Sequence, residues 1–281
     1  YFWRYDLQRA GVRTPYPDDI FDWNDLISTP FNRDPETGEI FTCDFCFYAD
    51  AVYYNRELLE KEGIKETDIP RKWDDFIKMA QQLTKTDSSG KIVQVGLSMN
   101  DYWAREWFWM DLIYQQGGWL FNEEGTEALW NREEGVRALQ FIKDIYHTWK
   151  IDDPEFLGQG DAFGNGQAAF YINMGYTAPG INSTFPQMEG KWATAVEPTF
   201  TGTGLPSWGL QVPEEGFCVF NKFPDEVKAL AFDFIKLMIG SDENRIRWAK
   251  VMQGPPDAIH LLKDPQITSD NVIATQAATL P

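Results

Sequence analysis

The chain has 281 residues, is 43% hydrophobic and carries a formal net charge of −18 at pH 7. No run of about 18 apolar residues occurs, which excludes a membrane-spanning helix within this sequence. Nucleic acids are excluded as partners, because the basic residues are scattered and form no cluster able to displace counterions. Anionic membrane surfaces are disfavoured for the same reason. We interpret the acidity as a contribution to solubility.

Local patterns predict alternating strands and helices. In chain order they are an extended run at 39–54, a helix at 55–63, a helix at 73–83, a strand at 92–99, a helix at 103–115, a helix at 132–148, a strand at 167–172, a strand at 216–221 and helices at 224–239 and 242–252. Apolar residues at amphipathic spacing define the helix at 73–83. Asn55 and Asn131 are predicted N-caps. This alternation predicts α/β layers.

The extended run before Tyr54 and the strand at 216–221 are far apart in sequence, with a large block between them. Such a block predicts one lobe inserted into another, with two crossings between them. The stretch Gly254–Pro256 breaks the chain after the last predicted helix.

The cysteines form a single CxxC motif, Cys43 and Cys46, together with an isolated Cys218. A structural zinc site needs four ligands, and the two histidines lie far away in sequence. In a strand, positions three apart face opposite sides. We therefore predict no metal, no disulfide and no cofactor.

Aromatic residues are abundant, with 12 Trp, 11 Tyr and 20 Phe. Some must form the core, but the excess is hard to bury because Trp and Tyr need polar partners for their N–H and O–H groups.

Several short segments resemble motifs of one protein family, and they occur in the family's order. They are Ala51–Gly63, Pro70–Phe76, Thr84–Lys91 with Gly96, Gln116–Gly118 with Phe121, Phe163–Phe170, and Glu226–Ile239 with Ser241–Glu243. Together, over 44–252, they resemble the extracellular solute-binding proteins of ABC importers, in the sugar-binding group that includes maltose-binding protein.

This resemblance implies an α/β, two-lobed periplasmic-binding-protein fold of the Venus-flytrap type, with hinge crossings and a ligand cleft between the lobes. We expect 1–46 and 217–255 to form a remnant of the N-terminal lobe, and 47–216 and 256–281 the C-terminal lobe. The family ordinarily has more strands and helices before the hinge and more helices after the break. We therefore expect a truncated chain.

The resemblance also implies a function. We expect capture of a carbohydrate outside the cytoplasm, in the periplasm or at the extracellular face of the membrane, and delivery to an ABC permease by hinge closure. Attachment as a lipoprotein is left open, and no enzymatic activity is expected.

A sugar site needs flat aromatic rings for the apolar ring faces and polar side chains for the hydroxyls. The candidate ligand-binding residues combine these two kinds of side chain. They are Tyr48, Asp50, Asp101, Trp103, Trp107, Tyr176, Trp208, Glu215 and Gln253. Tyr176 matches a stacking aromatic of the family, and Tyr48 matches a ligand contact. Trp103 and Trp107 are equally compatible with a place in the core.

Two alternatives remain. A carbohydrate-active enzyme would need a pair of carboxylates in a catalytic context, and no recognisable catalytic motif occurs. The same fold could instead bind a polyamine, whose positive charges suit an acidic and aromatic site, or another small solute.

Overall fold

The computed structural model describes residues 7, 9–99, 102–122, 125–158, 160–204 and 212–280, and the side chains of all of these except 102–104 and 212–215. The strands are β1 Arg13–Thr14, β2 Cys43–Tyr48, β3 Asp50–Asn55, β4 Lys85–Thr86, β5 Ile92–Ser98, β6 Ala168–Met174, β7 Trp192–Val196, β8 Val212–Phe217 and β9 Val219–Phe220. The helices are α1 Thr29–Asn32, α2 Arg56–Lys61, α3 Trp73–Leu83, α4 Tyr102–Gln115, α5 Glu133–His147, α6 Asp161–Gly164, α7 Thr177–Thr184, α8 Asp225–Ile239, α9 Asp242–Met252, α10 Pro265–Thr268 and α11 Asn271–Ala277. Within these ranges, no helix combines the length and the apolarity needed to cross a bilayer.

The chain divides into two compact units, each built from two separate stretches of sequence. Unit 1 comprises Tyr1–Tyr48 and Val212–Ala274, and unit 2 comprises Ala49–Gln211 and Thr275–Pro281. The strands and helices mix within each unit, as expected for an α/β protein.

Residues 256–274 differ from the expected division, which assigned 256–281 to the C-terminal lobe. The structure places 256–274 in unit 1. The reason is local: the N–H of Ile27 donates to the carbonyl oxygen of Asp257 at 3.0 Å, and the hydroxyl of Ser28 donates to its carboxylate at 2.6 Å. The Gly-Pro-Pro break therefore does not end unit 1. It runs beside β2, where the N–H of Phe47 donates to the carbonyl oxygen of Pro255 at 2.9 Å.

Unit 2 is built on a five-stranded sheet with the order β4-β5-β6-β3-β7. Strands β5 and β6 are parallel, and the chain between them includes α4 and α5, since a parallel pair needs a long crossover. Strand β3 is antiparallel to both β6 and β7.

One face of this sheet is covered by α3, α4 and α5. Trp73 and Phe76 of α3 are almost fully buried, and the ring of Phe76 lies 4.6 Å from that of Phe170 of β6, centroid to centroid. The ring of Trp73 lies 5.4 Å from that of Phe108 of α4. Buried apolar side chains of three helices and the sheet thus form the core of unit 2.

Unit 1 contains two antiparallel strand pairs, β1 with β9 and β2 with β8. Aromatic rings connect β2 and the segment after β1 to the helices. The ring of Phe45 of β2 lies 4.8 Å from that of Trp248 of α9, and the ring of Tyr16 lies 5.0 Å from that of Phe232 of α8, centroid to centroid. The cysteines Cys43 and Cys46 are fully buried in β2, and burial raises the pKa of the Cys43 thiol.

Helix α8 has an exposed row of large apolar side chains, which we call the α8 apolar face. Its members lie three or four positions apart, on one side of the helix. They are Val227, Leu230, Phe234 and Leu237, with exposed fractions of 42%, 67%, 54% and 69%. On the other side, Ile235 and Ile239 are buried.

Candidate functional site

One edge of the five-stranded sheet collects the segments that leave or enter its central strands. Strands β5 and β6 run parallel and end at this edge. Strand β3 begins there with Asp50, which pairs with Met174 at the end of β6. Strand β7 ends there as well, because Ala51 pairs with Val196. Loops beyond the ends of strands in an α/β sheet are common positions for ligands. We call this the ligand edge.

The ligand edge brings together predicted residues that are distant in sequence. Asp50 is the first residue of β3 and is 1% exposed. Tyr176 follows β6 at the N-cap position of α7, and 43% of its surface is exposed. Helix α4 follows β5 and carries Trp103 in its first turn and the half-buried Trp107 one turn later. The side chain of Trp103 and the whole of Asp101 lie outside the described residues.

The turn that carries Tyr176 is held by side-chain hydrogen bonds. The hydroxyl of Tyr53 donates to the carbonyl oxygen of Met174 at 2.9 Å. The side-chain oxygen of Asn173 accepts the N–H of Met174 at 2.8 Å, and its amide nitrogen donates to the hydroxyl of Tyr171. An exposed aromatic ring is thus presented from a backbone that has few ways to move.

Behind Asp50 lies a cluster of buried carboxylates that the sequence did not predict. Asp50, Asp111 of α4 and Glu197 after β7 each offer an oxygen, and these oxygens lie within 4.8 Å of one another. Asp111 and Glu197 have no exposed surface. Asp50 faces α4 because it shares a strand face with Val52 and Tyr54, which pack into the helix-covered core.

The chemistry of this cluster suits a hard cation, since Ca²⁺ and Mg²⁺ prefer oxygen ligands. Protons can neutralise the same carboxylates, so the acidic side chains alone do not define a metal site. The guanidinium of Arg71 supplies a positive charge near Glu197. Burial lowers the pKa of Arg71 overall, and the negative charge of Glu197 partly opposes that shift. The backbone supports this pairing, because the N–H of Thr199 donates to the carbonyl oxygen of Arg71 at 2.9 Å.

A second buried acid, Asp152, lies at the end of β5. Its carboxylate accepts the N–H of Met99 at 2.8 Å and the N–H of Asp153 at 2.9 Å. Burial raises the pKa of Asp152 to about 7, although these two hydrogen bonds favour the ionised form. Asp152 therefore fastens the end of β5 shortly before the predicted ligand residues Asp101 and Trp103.

The remaining predicted residues lie elsewhere or are not described. Tyr48 ends β2 in unit 1, where it is 2% exposed and packs on Gly254. Gln253 is the C-cap of α9, and its amide donates to the carboxylate of Asp270 at 3.2 Å. Glu215 lies in β8 opposite Cys46, but its side chain is not described. Trp208 lies outside the described residues.

Comparisons with known proteins give a consistent result. A model of the family described as bacterial extracellular solute-binding protein matches residues 3–245. The arabinooligosaccharide-binding protein of Halalkalibacterium halodurans is 25% identical over 241 residues, which cover 82% of this chain and 51% of the relative. The protein of the same name from Bacillus subtilis is 25% identical over 226 residues, covering 76% of this chain and 48% of the relative. The chain thus spans about half the length of the curated relatives it matches.

Solved structures share the fold. Maltose-bound MalE3 of T. maritima superposes with a TM-score of 0.74 at 20% identity, over 99% of this chain and 70% of the MalE3 chain. The GacH receptor of Streptomyces glaucescens, solved unliganded and with acarbose, has a TM-score of 0.75 at 19% identity and covers 99% of this chain and 69% of its own. At these identities the likeness concerns the fold, and it confirms the predicted fold class.

Proposed function

Since the chain belongs to the family of bacterial extracellular solute-binding proteins, we propose that it captures a carbohydrate outside the cytoplasm and delivers it to the membrane permease of an ABC importer. The names of its relatives support a sugar, because two of them are arabinooligosaccharide-binding proteins. Units 1 and 2 are the N-terminal and C-terminal lobes in this proposal. The expected hinge closure stays a prediction.

The observation that carries the proposal is the exposed ring of Tyr176. A sugar presents an apolar face, and an exposed aromatic ring on a firmly held turn offers the complementary surface. Buried polar groups lie beside it, at the start of β3 and the end of β5. Trp103 and Trp107 of α4 follow β5 at the same edge and are proposed as further contacts. Asp101 lies outside the described residues and is proposed as a contact from the sequence alone. Tyr48, Trp208, Glu215 and Gln253 stay candidates without a described place at this edge.

We propose binding without turnover. A glycosidase places two carboxyl groups on either side of the scissile bond, where the substrate must reach both. Asp111 and Glu197 have no exposed surface, so a glycosidic bond has no access to them. The two curated relatives are binding proteins by name, in agreement with this view. Incubation with maltotriose and arabinotriose followed by chromatography tests it, and the appearance of shorter sugars would contradict it.

A thermal-shift screen tests the ligand class. A compound that binds only the folded protein raises its melting temperature, by an amount that grows with concentration above Kd. We expect stabilisation by maltotriose or arabinotriose and none by spermidine. Stabilisation by spermidine alone would replace the carbohydrate with a polyamine.

Substitution of the ring tests the site. Tyr176→Ala removes the stacking surface and should weaken sugar affinity by roughly tenfold or more, measured by titration calorimetry. Phe121→Ala is the matched control, because this ring is 45% exposed in unit 2 and lies between α4 and α5. Equal affinities of both variants would remove Tyr176 from the site.

A further inference from the structure

The amide oxygen of Gln276 accepts two backbone hydrogen bonds at the ligand edge. The N–H of Ala49 donates to it at 3.2 Å and the N–H of Gly175 at 3.3 Å. Asp50 and Met174 are the last paired residues of β3 and β6, so these two donors occupy the next position on each strand. Gln276 therefore accepts the backbone hydrogen bonds at the point where the pairing of β3 and β6 ends.

Burial makes this acceptor important. Ala49 and Gly175 are buried, and Gln276 has no exposed surface. A buried N–H that loses its acceptor cannot turn to water, and such an unsatisfied donor is costly. Removal of the amide oxygen would thus release two backbone groups at once.

The same turn presents the Tyr176 ring. The carbonyl oxygen of Gly175 accepts the N–H of Ala178, in the first turn of α7, at 3.0 Å. The hydroxyl of Tyr53 donates to the same oxygen at 3.4 Å. Gly175 is thus held through both its N–H and its carbonyl oxygen. Because Tyr176 is the next residue, the orientation of its ring depends on these bonds.

Gln276 is itself anchored to the sheet. It lies in α11, next to Thr275, the residue at which the chain returns to unit 2. The hydroxyls of Thr275 and Thr194 of β7 are hydrogen-bonded at 3.0 Å, and both side chains are buried. This segment therefore contacts β7, the start of β3 and the end of β6.

We infer that Gln276 is a positioning residue of the ligand site, which fixes the Gly175 turn and thereby the orientation in which Tyr176 meets the ligand. It acts through the backbone and does not touch the ligand. The inference rests on the proposed function, in which Tyr176 contacts the sugar.

The test uses two substitutions of similar size. Gln276→Met removes the acceptor oxygen, whereas Gln276→Glu keeps an oxygen at the same distance from the backbone. Gln94→Met is the control, because it also removes a side-chain hydrogen bond in unit 2, from the amide of Gln94 to the carbonyl oxygen of Leu83 at 2.6 Å.

The first measurement is amide hydrogen exchange in the ligand-free protein. In Gln276→Met, the amides of Ala49 and Gly175 should exchange roughly tenfold faster or more, since they lose their acceptor. Gln276→Glu and Gln94→Met should leave these two amides close to the wild type. Unchanged exchange in Gln276→Met would overturn the inference, whatever the protein binds.

The second measurement is affinity for maltotriose and arabinotriose in a double-mutant cycle. Gln276→Met should weaken binding roughly tenfold in the wild-type background and have no further effect in the Tyr176→Ala background, because it acts through that ring. Additive losses, or unchanged affinity, would overturn the inference. If the wild type binds neither sugar, the proposed function fails and hydrogen exchange alone decides whether Gln276 fixes the turn.

Discussion

The carboxylate of Asp152 accepts the backbone N–H of Met99 at 2.8 Å, at the residue that follows β5. The hydroxyl of Tyr146 donates to the carbonyl oxygen of the same residue at 3.1 Å. Side chains thus satisfy both backbone groups of Met99, and both come from α5 or the segment after it. The end of β5 is fastened by an acid whose charge depends on pH.

This arrangement predicts a pH-dependent contribution to stability. The pKa of Asp152 is about 7 in the folded protein, against about 4 for an unfolded chain. Between these values the folded state binds more protons than the unfolded state, so this contribution to the free energy of unfolding falls as pH rises. Asp152→Asn keeps an acceptor for Met99 and cannot ionise. Its stability relative to the wild type should therefore increase by on the order of 1–3 kcal/mol between pH 4 and pH 7.5.

Urea unfolding of both proteins at several pH values, followed by tryptophan fluorescence, checks this prediction. A stability difference that stays constant across the range would contradict it.

His260 predicts a dependence of the same sign, a contribution to stability that is lost above its unfolded pKa of about 6.5. Its Nδ1 is hydrogen-bonded to Asp25, and its Nε2 lies 3.0 Å from the carboxylate of Asp242. Burial lowers the pKa of His260, but the hydrogen bonds and charges of the two aspartates outweigh it and raise the pKa overall. Stabilisation by the imidazolium is therefore complete below the unfolded pKa of about 6.5 and is lost as pH rises through the folded pKa.

The effect is small, because 49% of the His260 side chain is exposed. His260→Gln should lower the free energy of unfolding by about 1 kcal/mol or less at pH 5.5 and leave it almost unchanged at pH 9. High salt should reduce the difference at pH 5.5 by screening the charges. Equal stability of both proteins at low pH and low salt is the result that this interpretation does not allow.

Gly96 in β5 should tolerate no side chain. A Cβ at this position would lie 1.9 Å from the carbonyl oxygen of Ala80 in α3, which is backbone and cannot move aside alone. Gly96→Ala should therefore lower the free energy of unfolding by about 2 kcal/mol or more. Gly180→Ala is the control, since no atom lies within 4 Å of its Cβ and the residue is in α7. This second change should stabilise by about 0.5–1 kcal/mol. Thermal unfolding of both variants checks this prediction. A melting temperature of Gly96→Ala equal to or above that of Gly180→Ala would contradict it.

The α8 apolar face should accept polar residues. Leu230 is 67% exposed, so Leu230→Glu should change the free energy of unfolding by about 0.5 kcal/mol or less. Ile239→Ala, at a fully buried position of the same helix, should cost about 2–5 kcal/mol. The fluorescence of a bound hydrophobic dye should fall in Leu230→Glu, because an exposed apolar patch is removed. A large loss of stability in this variant would mean that the face is covered.

The fold was predictable where local pattern decides. The helix Trp73–Leu83 has the expected bounds, and Asn55 caps α2 by accepting the N–H of Leu58. The predicted cap Asn131 was wrong, because Arg132 occupies the N-cap of α5 without a side-chain hydrogen bond. The family resemblance is confirmed by the match over residues 3–245.

Other elements depend on the rest of the molecule. The extended run at 39–54 contains two strands, β2 and β3, which belong to different units. Alternation of side chains is the same in both, so the sequence does not reveal where the partner changes. Helix α7 contains Pro, Gly and Thr, which are weak helix formers, and its position is set by the turn at Gly175.

The candidate site was predictable only in part. Tyr176 follows from the family resemblance and Asp50 from the need for polar side chains in a sugar site, and the structure places both at the ligand edge. The sequence contains one indication of Asp111 as a site residue, since it is the charged residue within the otherwise apolar run 107–113 of α4. The sequence contains no such indication for Glu197 or Gln276, because their partners lie far away in sequence and only the folded chain brings them together.

The discontinuity of unit 2 has a consequence for biosynthesis. Residues 49–211 leave the ribosome before residues 275–281, and residues 212–274 emerge between them. At ordinary elongation rates this interval lasts roughly 3–13 s. During that time the nascent unit has its sheet sequence in full but lacks the Gln276 oxygen that Ala49 and Gly175 need. The turn carrying Tyr176 therefore gains these two hydrogen bonds only after Gln276 has emerged, later than the strands that it joins.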